Sequence, residues 1–201
     1  MLSNGEVQKY LKTNHIKVNA DESNKSPELS TIDDDLIGKE IFLTGENHGV
    51  SINTRLRMKF LKYFKEKTDF EYYLWEFPYS ISYFLNIYLK TGDIKVLKDV
   101  YRPLKGTDAW NRDDFNHWIE LYEFNRNLPE HRKIRVIGID IEHQLENAFR
   151  FMKYIIPKGD IPTEIEDIII ELRDTRDYNV EFLNRLKKSL EYEKFIYKKY
   201  L

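Results

Sequence analysis

With 201 residues, 41% of them hydrophobic and 14% aromatic, the chain is long enough to bury the core of one ordinary domain. Its 32 basic and 34 acidic side chains nearly cancel, and no basic block interleaves with aromatic residues, which argues against a nucleic-acid partner. Cysteine is absent, so disulfides, thiolate nucleophiles and cysteine-held metals are excluded, and His, Asp and Glu remain as the reactive inventory.

The start, Met1 to Glu6, has no basic stretch followed by an apolar one, and no uncharged run is long enough to span a bilayer. The expected setting is the cytoplasm, without a membrane partner. Val7 to Leu11 make a short helical patch, and Ala20 to Asp35, rich in Asp, Glu, Ser, Asn and Pro, predict a surface loop with little to bury. Residues 1–35 thus form an N-terminal helix and acidic surface loop ahead of an α/β core over 36–156 and a helical extension over 157–201.

Glu40 to Thr44 is a compact apolar run that predicts a strand, and it stops at Gly45-Glu46-Asn47-His48-Gly49. From Ile52 the period turns helical: Ile52, Leu56, Phe60, Tyr63 and Phe64 share one face, with Arg55, Lys59, Lys62 and Lys65 away from it. A second strand is predicted over Phe70 to Trp75, ending in Glu76-Phe77-Pro78, and a helix over Tyr79 to Lys90 closed by Gly92. A loop-rich passage, Tyr101 to Asn111, holds Pro103, Gly106 and Trp110. It leads to a helix whose first turn carries Asp113 and Asp114 and whose body carries Phe115, Trp118, Ile119 and Tyr122. Ile134 to Ile139 predicts a third strand, ending in Asp140-Ile141-Glu142-His143. Beyond Leu145 the pattern is helical, with a Thr163/Glu166 capping box, Asn179 as a cap, and a Leu183, Leu186, Leu190 stripe.

Strands apolar on both faces and separated by helices predict an α/β fold, a parallel sheet flanked by helices and followed by a helical C-terminal region. Three strands make a thin sheet, so a partner chain or a further C-terminal segment is expected to complete it.

In open parallel sheets ligands bind beyond the carboxyl ends of the strands. Glu46 and His48 follow the first predicted strand, Glu76 closes the second, and Asp140, Glu142 and His143 follow the third; Gly45 and Gly49 permit positive φ or a close substrate approach. Each residue also has a plainer reading. A histidine after a strand can be a loop residue, Glu76 can form a buried ion pair with Arg55 or Arg57, and Asp140 can cap the next helix. His15, His117 and His131 read as surface or packing residues, and Trp110 sits in a loop able to reach a cleft.

Over about residues 6–143 the chain resembles the N-terminal part of the erythromycin esterase-like family, within a wider superfamily that includes ChaN-like and TIKI-type proteins. The marks are the leading helix, the acidic segment before Leu36, Gly45-Glu46, His48-Gly49, Arg57 on the next helix, Glu76 closing the second strand, and Gly138-Ile139-Asp140. One residue, Asn47, separates Glu46 from His48, where esterases of this type usually have two. The resemblance implies hydrolysis without a serine or cysteine nucleophile: His48 as general base on water, Glu46 and Glu76 orienting or tuning it, and Arg57 offsetting carboxylate charge or holding an oxyanion. Asn47, Asp140, His143 and Trp110 would support substrate binding. The family also draws on later histidines, which have no counterpart after His143. The substrate is then a small-molecule ester or lactone and no cofactor is needed. Two other readings stand beside it: a divalent ion such as Mn or Zn held by Glu46, His48, Glu76 and Asp140 with a bound water as nucleophile, and a catalytically silent binding domain.

Overall fold

Apolar periodicity and local end signals set most of the helices. The computed structural model describes residues 3–20, 26–156, 159, 161–177 and 179–200, and for residues 190 and 192–200 the backbone alone. In chain order the elements are α1 (Asn4–Thr13), a 3-10 turn (Pro27–Ile32) running into α2 (Asp33–Leu36), α3 (Ser51–Lys67), β1 (Tyr72–Pro78), α4 (Tyr79–Thr91), α5 (Ile94–Tyr101), α6 (Arg112–Arg126), β2 (Arg135–Asp140), α7 (Leu145–Ile155), α8 (Thr163–Asp174) and α9 (Val180–Tyr200), with further 3-10 turns at Arg102–Leu104 and Glu130–Arg132. The chain is broadly α/β and mostly helical. No described helix is long and apolar enough to cross a membrane. Two units divide it: Met1–Glu71 with Asn111–Ile134, and Tyr72–Trp110 with Arg135–Leu201.

In the first unit α3 packs against α6. A reciprocal Ser3/Glu6 capping box starts α1. Part of the expected acidic surface loop, residues 21–25, lies outside the described residues. The rest departs from that expectation: Leu29 and Leu36 are buried with Tyr63, and Val18, Ile32, Phe42, Phe60 and Phe64 pack around them. Glu40 to Thr44 is not a strand. Phe42 stacks on Phe64 with ring centroids 4.8 Å apart, whereas Ile41 and Leu43 are 77% and 92% exposed. An apolar run becomes a strand only where backbone partners exist for it, and this segment is held through one aromatic ring.

The polar face expected of α3 also differs. Lys59 and Lys65 are buried, Lys59 by an ion pair with Glu28 (2.6 Å) and a bond to the Asn19 carbonyl (2.6 Å). Lys65 donates to the Phe70 carbonyl and sits over the Phe70 ring. Burial depresses its pKa. At the end of the unit the Asn125 amide donates to the Ile134 carbonyl (3.1 Å) and accepts from its N–H (2.7 Å).

In the second unit β1 and β2 pair in parallel, Tyr72 opposite Arg135 and Trp75 opposite Gly138. Pro78 then faces Asp140, so Glu76 and Phe77 together stand across from Ile139 and the end of β1 bulges. The strands approach so closely there that a Cβ on residue 138 would fall on the carbonyl oxygens of Phe77 and Pro78, which only glycine avoids. Among the described residues the sheet has these two strands, not three. Helix α4 packs on it, while Tyr72, Leu74, Ile137 and Ile139 remain exposed, so cover on both faces is absent from the described residues. The Asn86 amide of α4 donates to the Val136 carbonyl (2.7 Å) and accepts from the Val136 N–H (2.9 Å), turning both polar groups of that residue away from β1.

Gly92, with φ 70°, closes α4 as expected; its N–H donates to the Tyr88 carbonyl at 2.7 Å. Helix α5 has no counterpart among the sequence expectations; Leu97, Val100 and Tyr101 bury its inner face. Farther on, Phe149, Ile165, Ile169, Leu172, Phe182 and Leu186 make one cluster between α7, α8 and α9. The predicted Thr163 capping box does not form: Pro162 occupies the cap position and Thr163 is the first helical residue. Asn179 does cap α9, accepting from the Phe182 N–H at 2.8 Å. The Leu190 side chain lies outside the described residues.

Candidate functional site

Each unit gathers part of the predicted set. In the first, His48 and Glu46 lie on the segment before α3, and Arg57 projects from the second turn of that helix. Gly49 takes a positive φ of 78°, as its place beside His48 predicts, whereas Gly45 does not. The turn is pinned to α3 by the Asn47 carbonyl, which accepts from Asn53 Nδ2 at 2.7 Å and the Val50 N–H at 3.4 Å. Asn47 therefore contributes through its backbone.

His48 Nδ1 stands 3.3 Å from Glu46 Oε1, and Glu46 Oε2 accepts from Arg57 Nη2. The other end of the guanidinium, Nη1, donates to Asp114 Oδ1 at 3.1 Å. Exposure is graded along this line: the His48 side chain is 71% exposed and that of Arg57 10%. The outer member faces solvent and the inner one is fixed.

Asp114 was visible in the sequence only as a helix N-terminal charge. It does stand in the first turn of α6, where its N–H donates to the Asn111 side-chain oxygen (2.8 Å) while its Oδ2 accepts from Asn111 Nδ2 (2.6 Å). His117, one turn farther, is a buried packing residue as expected, its ring edge-on to Trp118. Burial, aided by the Arg57 cation, pushes its pKa down to about 3, so it is neutral near pH 7.

In the second unit Glu76 lies in the bulge of β1 and is exposed, contrary to the apolar surroundings its neighbours suggested. Glu142 is a structural cap. Helix α4 begins after Pro78 without a side chain of its own to cap it, and Glu142 accepts from the Ser80 N–H (2.7 Å) and Ser80 Oγ (2.8 Å). Asp140 accepts from the N–H of Ile141 at 2.8 Å and stands 3.7 Å from His143 Nδ1; it does not cap α7. His143 Nδ1 lies 3.0 Å from the Ile141 carbonyl. Trp110 is half exposed, its N–H bonded to the Thr107 carbonyl.

The four residues weighed as metal ligands divide two and two between the units. Among the described residues no group of three or more His, Asp or Glu is arranged to hold a metal ion. A neutral imidazole whose Nδ1–H faces a carboxylate leaves Nε2 as its basic atom, and a carboxylate so placed stabilises the imidazolium that forms when Nε2 takes a proton. The line through Glu46 is thus suited to general-base chemistry at an accessible imidazole. No family model, curated protein or solved structure matches the chain.

Proposed function

We propose that the chain carries a hydrolytic centre of the erythromycin esterase-like type, acting in the cytoplasm on an ester or lactone of a small molecule. The observation that supports this reading is the contact of His48 Nδ1 with Glu46, itself held by Arg57. A water donates its proton to His48 Nε2 as its oxygen attacks the carbonyl carbon. The tetrahedral adduct then expels the alcohol oxygen, which recovers the proton from the imidazolium. Glu46 orients the ring and fixes the tautomer. With Nη1 and Nη2 facing two carboxylates and the side chain largely buried, Arg57 serves better as charge compensation than as an oxyanion donor. Glu76 enters through the family resemblance, as a second tuning carboxylate.

The test is a panel of aryl esters and lactones with wild type and His48→Ala. Loss of the general base should lower kcat by roughly 100-fold or more, with thermal stability nearly unchanged because the side chain is largely exposed. Activity should survive a chelator. Wild-type turnover in His48→Ala removes the assignment, and activity that leaves and returns with stoichiometric metal transfers it to the divalent-ion reading.

A further inference from the structure

We infer that Asp114 is a positioning residue for this centre: through Arg57 it sets where Glu46 meets His48. The inference rests on the proposed general-base role of His48, and its geometry lies within one unit. Glu46 stands on a segment without regular secondary structure, so something must fix its carboxylate. Arg57, rooted in α3 and largely buried, reaches it with Nη2. A guanidinium is a rigid planar fork, so holding one terminal nitrogen narrows the range of positions open to the other. Nη1 is held by Asp114 Oδ1 at 3.1 Å. Asp114 is held in turn, its second oxygen accepting from Asn111 Nδ2 at 2.6 Å and its N–H donating to Asn111 Oδ1 at 2.8 Å. The start of α6 therefore anchors a line of contacts that ends at the imidazole.

Asp114 touches neither His48 nor any reacting atom in this scheme, so its effect is read at the imidazole tautomer. Glu46 opposite Nδ1 selects the Nδ1–H form, whereas an unassisted neutral imidazole favours Nε2–H. The experiment records the 15N shifts of His48 in histidine-labelled protein at a pH where the ring is neutral, the signal being assigned with His48→Gln. Wild type should show the Nδ1–H form in excess. Asp114→Ala should move His48 toward the Nε2–H form by more than half of the change caused by Glu46→Gln. Arg57→Lys keeps the charge but cannot bridge two carboxylates, and should do the same, so the test survives if the Asp114 variant fails to fold. Wild-type tautomer populations in Asp114→Ala or Arg57→Lys overturn the inference. That result is separate from the hydrolysis assay, which tests His48 itself.

Discussion

Acidifying the protein from pH 7.5 to 5.0 should expose the cost of burying His117. Its folded pKa, about 3, lies below its ordinary value of 6.5, so folding excludes a proton that the unfolded chain accepts. For a group displaced in this direction, stability is complete above 6.5 and declines as pH falls from there toward 3. At pH 5.0 the chain is one and a half pH units into that window, which corresponds to about 2 kcal/mol at ~1.4 kcal/mol per unit. The carboxylates held low by ion pairs and hydrogen bonds, Glu6, Glu28, Asp33, Asp99 and Glu171, lose most of their contributions below their ordinary values of 4.5 or 3.8, and the small part lost by pH 5.0 is common to wild type and variant. Urea denaturation at both pH values, with wild type and His117→Gln, isolates the effect as a difference of differences. Wild type should lose about 2 kcal/mol more than the variant on acidification. An equal loss in both proteins would refute the argument that a neutral, buried imidazole next to Arg57 shapes the acid response.

Two further substitutions test the sheet. Gly138→Ala places a methyl group on the Phe77 and Pro78 carbonyls and should cost about 1–3 kcal/mol in equilibrium unfolding; wild-type stability would mean that the strand end opens easily. Asn86→Leu strips both Val136 backbone groups of their side-chain partner and should cost about 2–3 kcal/mol, with faster hydrogen exchange at the Val136 amide; unchanged exchange there would show that the amide pairing is not what protects it.

Local signals carried the parts of the fold that could be read in advance. Gly92 ends α4, the acidic Asp113-Asp114 turn begins α6, and the largely apolar run of β2 stands within a residue of its expected place. What escaped depends on remote partners. Lys59 and Lys65 match a solvated helix face until Glu28 and the Phe70 carbonyl supply compensation. Glu40 to Thr44 has strand composition but is not in a strand among the described residues. The same distinction runs through the candidate site. Glu46, His48 and the turn at Gly49 announce themselves within a few residues, whereas Asp114 reaches Arg57 across 57 positions and Glu142 reaches Ser80 across 62. Of the caps the sequence predicts, Gly92 and Asn179 form with partners a few residues away, the Thr163/Glu166 box and an Asp140 cap of α7 do not, and the capping of Ser80 by Glu142 has no local signal.

The Asn86 amide has a topological consequence. By answering both the N–H and the C=O of Val136, it acts as a strand one residue long and occupies the flank of β2 that would otherwise accept a neighbour at that register. Extension of the sheet at that register is thereby directional. A newcomer would have to pair with β1, making β1 the middle strand and bringing the bulge that carries Glu76 from the margin to the centre of the enlarged sheet.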